Sequence, residues 1–383
     1  MTYWDYNAST PIRPEVLENL TQSLRTLNAS PGNPSSVHAG GRELRRRLDH
    51  ARAATAKLLG CDPREVCFTG SGSEANALAL KGAFLARREK SRRHIVTSQV
   101  EHPAVLSALE QLETLGARVL RIAPQPDGRV ALEEFLAALT PDVALCSLMW
   151  ANNETGVVQP IAEVARACNQ RGILCHIDAV QAVGKVPVSF SEVGADLLSL
   201  SAHKFYGPAG VGALIVRRGL AVEALTPGHQ EAGRRGGTHN VPYIEALARA
   251  LELSLGSLPG EQKRVASLRN RFEYELATRV GDMRINGGTV PRVPNTSNVE
   301  FCGADGEALL IGLDLEGICV SSGAACASGS LTPSHVLTAM GLTSAQAHSS
   351  LRFSLGLYST ESEVDQVLDT LARQVPKARA AAA

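Results

Sequence analysis

At 383 residues, with 44% apolar and 20% charged side chains and a formal net charge of zero, the chain can bury a sizeable core and is neither disordered nor surrounded by a field that attracts nucleic acid or anionic membrane. It exceeds the size at which a single core stops growing, so a large domain with a smaller companion is expected. The opening MTYWDYNASTP has neither the basic nor the apolar region of a leader peptide, and VALCSLMWA is too short to cross a bilayer; a cytoplasmic protein is the expectation.

From Pro14 to about Gly219, helical and strand patterns alternate as in successive βα units of a largely parallel sheet. Val16, Leu17, Leu20, Leu24 and Leu27 recur at helical spacing, as do Leu44, Leu48, Ala51, Thr55 and Leu58 before a stop at Gly60. The runs VCFT, HIVTS, RVLRIA, VALCSLMW, ILCHID, LLSLS and GALIV predict buried strands, about seven in all. A helix from about Val241 is expected to stop at Pro259-Gly260, with a separate charged helix beyond it. Short strands and helices follow (NTSNVEF, LLIGLDLEG, SLRFSLG, ESEVDQVLDTLARQV), and the terminal ARAAAA is expected to fray. The division predicted is a large domain over residues 14–257 and a smaller α+β domain from 1–13 and 258–383.

Basic clusters occur at Arg45-Arg46-Arg47 and over residues 86–93. With aromatics at 4% there are few rings to stack on bases beside them, and they read as solvated helix faces in preference to a nucleic-acid surface. The eight cysteines are scattered, without a CxxC pair; seven read as reduced thiols, mostly buried.

LCHIDAVQ and LLSLSAHKFYG each leave polar residues at the carboxyl end of an apolar run, where open α/β sheets bind ligands. Asp178 and Lys204 would meet there. A lysine that forms a Schiff base and an acid that keeps a pyridine nitrogen protonated suit pyridoxal phosphate, although the same two residues would also make a strand-end salt bridge. FTGSGSEANALALKGAF runs from strand through a Gly/Ser turn into a helix and would present N–H groups to a phosphate; the turn type is common, and it lacks the GxxxxGK[ST] order of a nucleotide loop. SSGAACASGSLTPSH surrounds Cys326 with small residues, predicting a mobile exposed loop whose thiol is either functional or incidental.

Taken in order, DYNASTP, GNPSSVH, FTGSGSEAN, TSQVEHPAVL, ANNETGVVQP, HIDAVQAVGK, SLSAHKFYGPAGVGAL, RRGGTHN, SSGAACASGSLTPSHVL and SSLRFSLG resemble the cysteine desulfurases, in the branch serving nitrogen fixation and general iron–sulfur assembly, within the class V aminotransferases. The resemblance implies an α/β fold, that of the fold type I enzymes of pyridoxal 5'-phosphate, with a mainly parallel seven-stranded sheet and a smaller α+β domain carrying Cys326. It implies that Lys204 carries the cofactor, Asp178 pairs with its ring nitrogen, and His102 stacks on the ring and shuttles protons. Gln181 and Asn153 would bind around the ring hydroxyl and substrate, and Gly72, Ser73, Ser201 and His203 would hold the phosphate. Thr238 would reach the phosphate of the other subunit of a homodimer. Arg352 would grip the carboxylate of L-cysteine, and Cys326 would take its sulfur as a persulfide, leaving L-alanine. A protein sulfur acceptor, such as an iron–sulfur scaffold or a sulfur carrier, completes the implied set of partners.

Two departures accompany the resemblance: His229 where relatives usually run through several glycines, and a short ending after LARQVPKARAAAA, where some relatives bind the scaffold through a longer tail. Other reactions on the same fold remain open as rivals: selenocysteine lyase, a C–S lyase releasing sulfide, an aminotransferase, or a silent sulfur-relay subunit. A thiol on a loop argues against the aminotransferase, and Lys204, Asp178, His102 and Arg352 argue against the silent subunit.

Overall fold

The computed structural model describes residues 1–87, 92–322 and 333–382. After a two-residue strand β1 (Thr2–Tyr3), the seven apolar runs all form strands: β2 (Val66–Thr69), β3 (His94–Ser98), β4 (Arg118–Ile122), β5 (Val143–Met149), β6 (Leu174–Asp178), β7 (Leu197–Ser201) and β8 (Gly212–Val216). They make one sheet in the order β2-β8-β7-β6-β5-β3-β4. Only β8 runs against its neighbours, pairing antiparallel with both β2 and β7. The carboxyl ends of β2, β5, β6 and β7 therefore share one edge, where Asp178 stands opposite Met149 on one side and Ser199 on the other.

Strands β5 to β8 are buried at every position, which is why they read as largely apolar runs. Helices Pro14–Ala29, Ala39–Leu59, Ile161–Arg171 and the first half of Val241–Val280 cover one face of the sheet. The helices starting at Gly72 and Pro103 cover the other. The helix Ala39–Leu59 stops as predicted at Gly60, whose φ of 69° lies in the left-handed region that glycine adopts at little cost.

A second core gathers Trp4, Phe272, Phe301 and Phe353 with the inner side of helix Glu361–Ala382. Here β9 (Met283–Ile285), β10 (Thr296–Phe301) and β12 (Ser350–Ser354) form an antiparallel sheet, while β1 pairs in parallel with β11 (Ile318–Cys319). The Trp4 and Phe272 rings meet edge to face, 5.2 Å between centroids. The N-terminal strand is thus pinned in this core, and the next few residues run to the edge of the large sheet.

Two expectations are corrected. Pro259-Gly260 does not end a helix: Val241–Val280 is one helix of 40 residues with Pro259 inside it. A proline within a helix costs about 3 kcal/mol, but Pro259 is exposed, so the carbonyl it leaves unpaired can meet water. The buried stripe continues past it from Leu251 and Leu258 to Val265, Leu268, Phe272 and Leu276, joining the two cores along one element. Nor do the described residues of the terminal ARAAAA fray: the last helix continues to Ala382, with Ala378 buried in the second core.

The first basic cluster is neutralised within the chain. Arg45 pairs with Asp49, Arg46 with Glu43, and Arg47 with Glu245. Residues 88–91 of the second lie outside the described residues. Cys67, Cys146, Cys168 and Cys175 are buried, Cys61 and Cys319 half-buried and Cys302 exposed, all as free thiols. Among the described residues no helix is long and apolar enough to cross a membrane.

Phe272→Ala should empty the centre of the second core. A loss of about 3–5 kcal/mol is expected, read as a lower urea midpoint with an unchanged slope.

Candidate active site

A cavity of about 600 Å³ opens at the carboxyl edge of the large sheet. Ten of the twelve residues singled out in the sequence line it: Gly72, Ser73, His102, Asn153, Asp178, Gln181, Ser201, His203, Lys204 and Arg352. Thr238 is exposed and outside the cavity, and Cys326 lies outside the described residues.

One end of the cavity is built for an anion. Ser71 caps the helix that starts at Gly72, its hydroxyl accepting from the Glu74 N–H at 3.0 Å, so the first-turn N–H groups of Gly72 and Ser73 have no partner within the helix. A side chain at position 72 would put its Cβ 2.9 Å from Val180 Cγ2 and 3.1 Å from Ser201 Cβ, so glycine is what lets this backbone approach the far wall. On that wall stand Ser201 and His203; the His203 Nδ1 meets Ser9 Oγ at 3.2 Å. Burial, with the positive charges of Lys204 and Lys185, pushes the His203 imidazole down to about 4, so it is neutral at pH 7.

Asp178, where β6 ends, lines the same cavity. Asn76 Nδ2 donates to one carboxylate oxygen at 2.7 Å and the Val180 N–H to the other at 3.0 Å. Burial raises its pKa; the nearby His102 and these donors oppose the rise. A cationic ring nitrogen beside it would favour the ionised form further. His102 caps the helix Pro103–Thr114, its Nδ1 accepting from the Ala104 N–H at 3.1 Å, which places the ring proton of the neutral form on Nε2. Burial lowers the His102 pKa despite the pull of Asp178.

Lys204 lies in the turn after β7 and donates to the carbonyls of Asn7 and Ala8, each at 2.7 Å. Gln181 Nε2 donates to the same Asn7 carbonyl at 2.9 Å. Arg352, on β12, is 1% exposed. Its Nη1 donates to the Asn153 carbonyl at 3.1 Å and its Nη2 to Asp5 at 2.6 Å, while its buried Nε has no partner. An orphaned guanidinium donor beside a cavity is a place for a carboxylate.

Several residues that shape this site were not singled out in the sequence. Asn76 holds Asp178; it lies one turn into the helix that follows the Gly/Ser turn, a spacing that faces the same way as Gly72 and was the available signal. Asn7, within DYNASTP, joins both lysine-bearing segments to the second core. Glu154 of ANNETG accepts from Ser334 Oγ at 2.5 Å, and burial pushes its carboxyl up to about 7. Glu101, next to His102, accepts from Ser98 Oγ at 2.6 Å and the Met149 N–H at 3.0 Å, and burial pushes it up to about 8. His335 Nε2 donates to the Glu101 carbonyl at 3.0 Å, closing the cavity wall beside Pro333 and Ser334.

Thr238 belongs to a loop fixed by Glu231, whose carboxylate accepts from Arg52, His239 and the Phe68 N–H. Burial works against the charge, but the His239 and Arg52 hydrogen bonds hold Glu231 down at about 2.

The class-V aminotransferase profile matches residues 2–367. A cysteine desulfurase of Trichormus azollae is 46% identical over 379 residues, covering 99% of this chain and 94% of that protein. The chain belongs to the cysteine desulfurase family, within the class-V aminotransferases. Among solved structures, a NifS-like protein superposes with a TM-score of 0.90 at 36% identity, covering 98% of this chain and 99% of that one. SspA in complex with cysteine gives a TM-score of 0.82 at 34% identity, covering 94% and 100%. Enzymes of this family generally depend on pyridoxal phosphate, and the cavity suits that group, for its lining joins the Gly72 turn with a buried carboxylate and a lysine near it.

Glu101 should leave a mark on stability. Its folded pKa, about 8, lies above the exposed value of 4.5, so its contribution is fully present below about 4.5 and lost as the pH rises towards 8. Glu101→Gln should flatten this part of the pH–stability profile measured by urea unfolding.

Proposed function

We propose that this chain removes the sulfur of L-cysteine, releasing L-alanine and holding the sulfur as a persulfide on Cys326, with pyridoxal phosphate as cofactor. The observation that carries this reading is the convergence of Lys204, Asp178 and the Gly72 cradle on one cavity, in a chain closely similar along its length to cysteine desulfurases.

Bound pyridoxal phosphate supplies a ring into which electrons from the substrate can be drawn. Gly72, Ser73, Ser201 and His203 hold its phosphate, with Thr238 contributing across a homodimer. Asp178 would keep the ring nitrogen protonated, and His102 would lie against the ring. Gln181 and Asn153 orient the ring hydroxyl and the substrate. Lys204 would hold the cofactor, and its Nζ is the base that would take the substrate α-proton and return it before alanine leaves. Arg352 turns its guanidinium to the substrate carboxylate, in competition with Asp5.

The Cys326 thiolate attacks the substrate sulfur: the S–S bond forms as the Cβ–S bond breaks, and the carbon keeps that electron pair, takes a proton and leaves as alanine. A protein acceptor, an iron–sulfur scaffold or a sulfur carrier, then takes the sulfur in the cytoplasm.

Mixing the protein with L-cysteine and a thiol reductant should give alanine and sulfide in equal amounts. In Cys326→Ala both should fall by about a hundredfold or more, with cofactor binding unchanged. Full activity in that variant would replace the persulfide route by a C–S lyase that needs no protein thiol.

A further inference from the structure

Lys185 is 8% exposed and lies in the run of turns that follows β6. Gly184 directs it inward. At a φ of 78°, and with a Cβ position only 2.8 Å from Phe205 Cβ, that residue has room for neither a side chain nor an ordinary L conformation. The Lys185 Nζ donates to Asn7 Oδ1 at 2.8 Å and to Gln181 Oε1. Both partners are amide oxygens, and among the described residues no carboxylate pairs with it. Burial, and after it the like charges of Lys204 and Arg352, push its pKa well down. A lysine placed at this cost is held for what its N–H groups fix.

What they fix is the direction of two amides. Because Oε1 of Gln181 faces Lys185, its Nε2 is the donor on the other side, where one N–H goes to the Asn7 carbonyl at 2.9 Å and the second remains for an acceptor in the cavity. Because Oδ1 of Asn7 also faces Lys185, the main chain of Asn7 is set so that its carbonyl receives Lys204 Nζ at 2.7 Å. Lys185 is therefore one residue removed from both the ring-facing amide and the cofactor-bearing lysine.

We propose that Lys185 is a positioning residue, acting through Gln181 and Asn7 on how the bound cofactor and Lys204 are oriented without contacting the substrate. This rests on the reading of the cavity as a pyridoxal-phosphate site.

The test compares cofactor affinity and the visible absorption band of wild type, Lys185→Met, Gln181→Ala and the double variant, each reconstituted with pyridoxal phosphate. Lys185→Met should bind the cofactor about tenfold more weakly, the loss expected for one buried hydrogen bond, with a displaced band. The double variant should be no worse than Gln181→Ala alone. If Lys185→Met does not fold, Lys185→Gln, which keeps an N–H donor, is read in its place and should fall between wild type and Gln181→Ala. A wild type that takes up no cofactor overturns the proposed function and this proposal with it. A wild type that loads, with Lys185 variants matching it in band and affinity, overturns this proposal alone, as do fully additive losses in the double variant.

Discussion

Asn7 commits its whole hydrogen-bonding capacity to holding the site together. Its N–H donates to Ser354 Oγ, its Nδ2 to the Asn153 carbonyl and Thr296 Oγ1, its carbonyl accepts from Lys204 and Gln181, and its Oδ1 accepts from Lys185 and Asn295. At 2% exposure, none of these groups can fall back on water, so each partner is fixed by the penalty of leaving it unpaired. Through this one residue the ends of β6 and β7 on the large sheet are tied to β10 and β12 on the smaller one. The position of Arg352, which shares the Asn153 carbonyl with Asn7, follows from the same set of bonds.

The surrounding structure makes such a junction possible. Trp4 anchors the N-terminal strand in the second core, and the continuous helix Val241–Val280 spans both cores, so Asn7 is held between two bodies that share a rigid element. Around it the charged side chains are stabilised by amide and main-chain partners as much as by opposite charges. Asp178 is held by Asn76 and a main-chain N–H, and Lys185 by two amide oxygens. Fixed dipoles of this kind need little rearrangement when charge moves in the cavity, which is the condition for electrostatic preorganisation.

The sheet was legible because most of its strands are buried and largely apolar, and the polar residues at the ends of β6 and β7 stood out against them. Asp178, Lys204 and the Gly72 turn could be found that way, and Cys326 by its small neighbours; the others, His102, Arg352 and Asn153 among them, came from resemblance, and the structure brings most of them to the same cavity. Asn7, Lys185, Glu101 and Asn76 were not legible as site residues, since a polar side chain declares its burial only through contacts with segments distant in sequence. The uninterrupted helix through Pro259 was missed for a related reason: local propensity favoured a break, and apolar residues on both sides, packing into two cores, outweighed it. The terminal run misled in the same way, its described residues 378–382 lying on a helix already held by Val367, Leu371 and Val375.

The most direct test of the account is to load the protein with pyridoxal phosphate, reduce it with borohydride and locate the attached pyridoxyl group by mass spectrometry of the digested chain. The label is predicted on Lys204. A label on Lys185, or no label on either, would contradict the assignment of the cavity on which the rest depends.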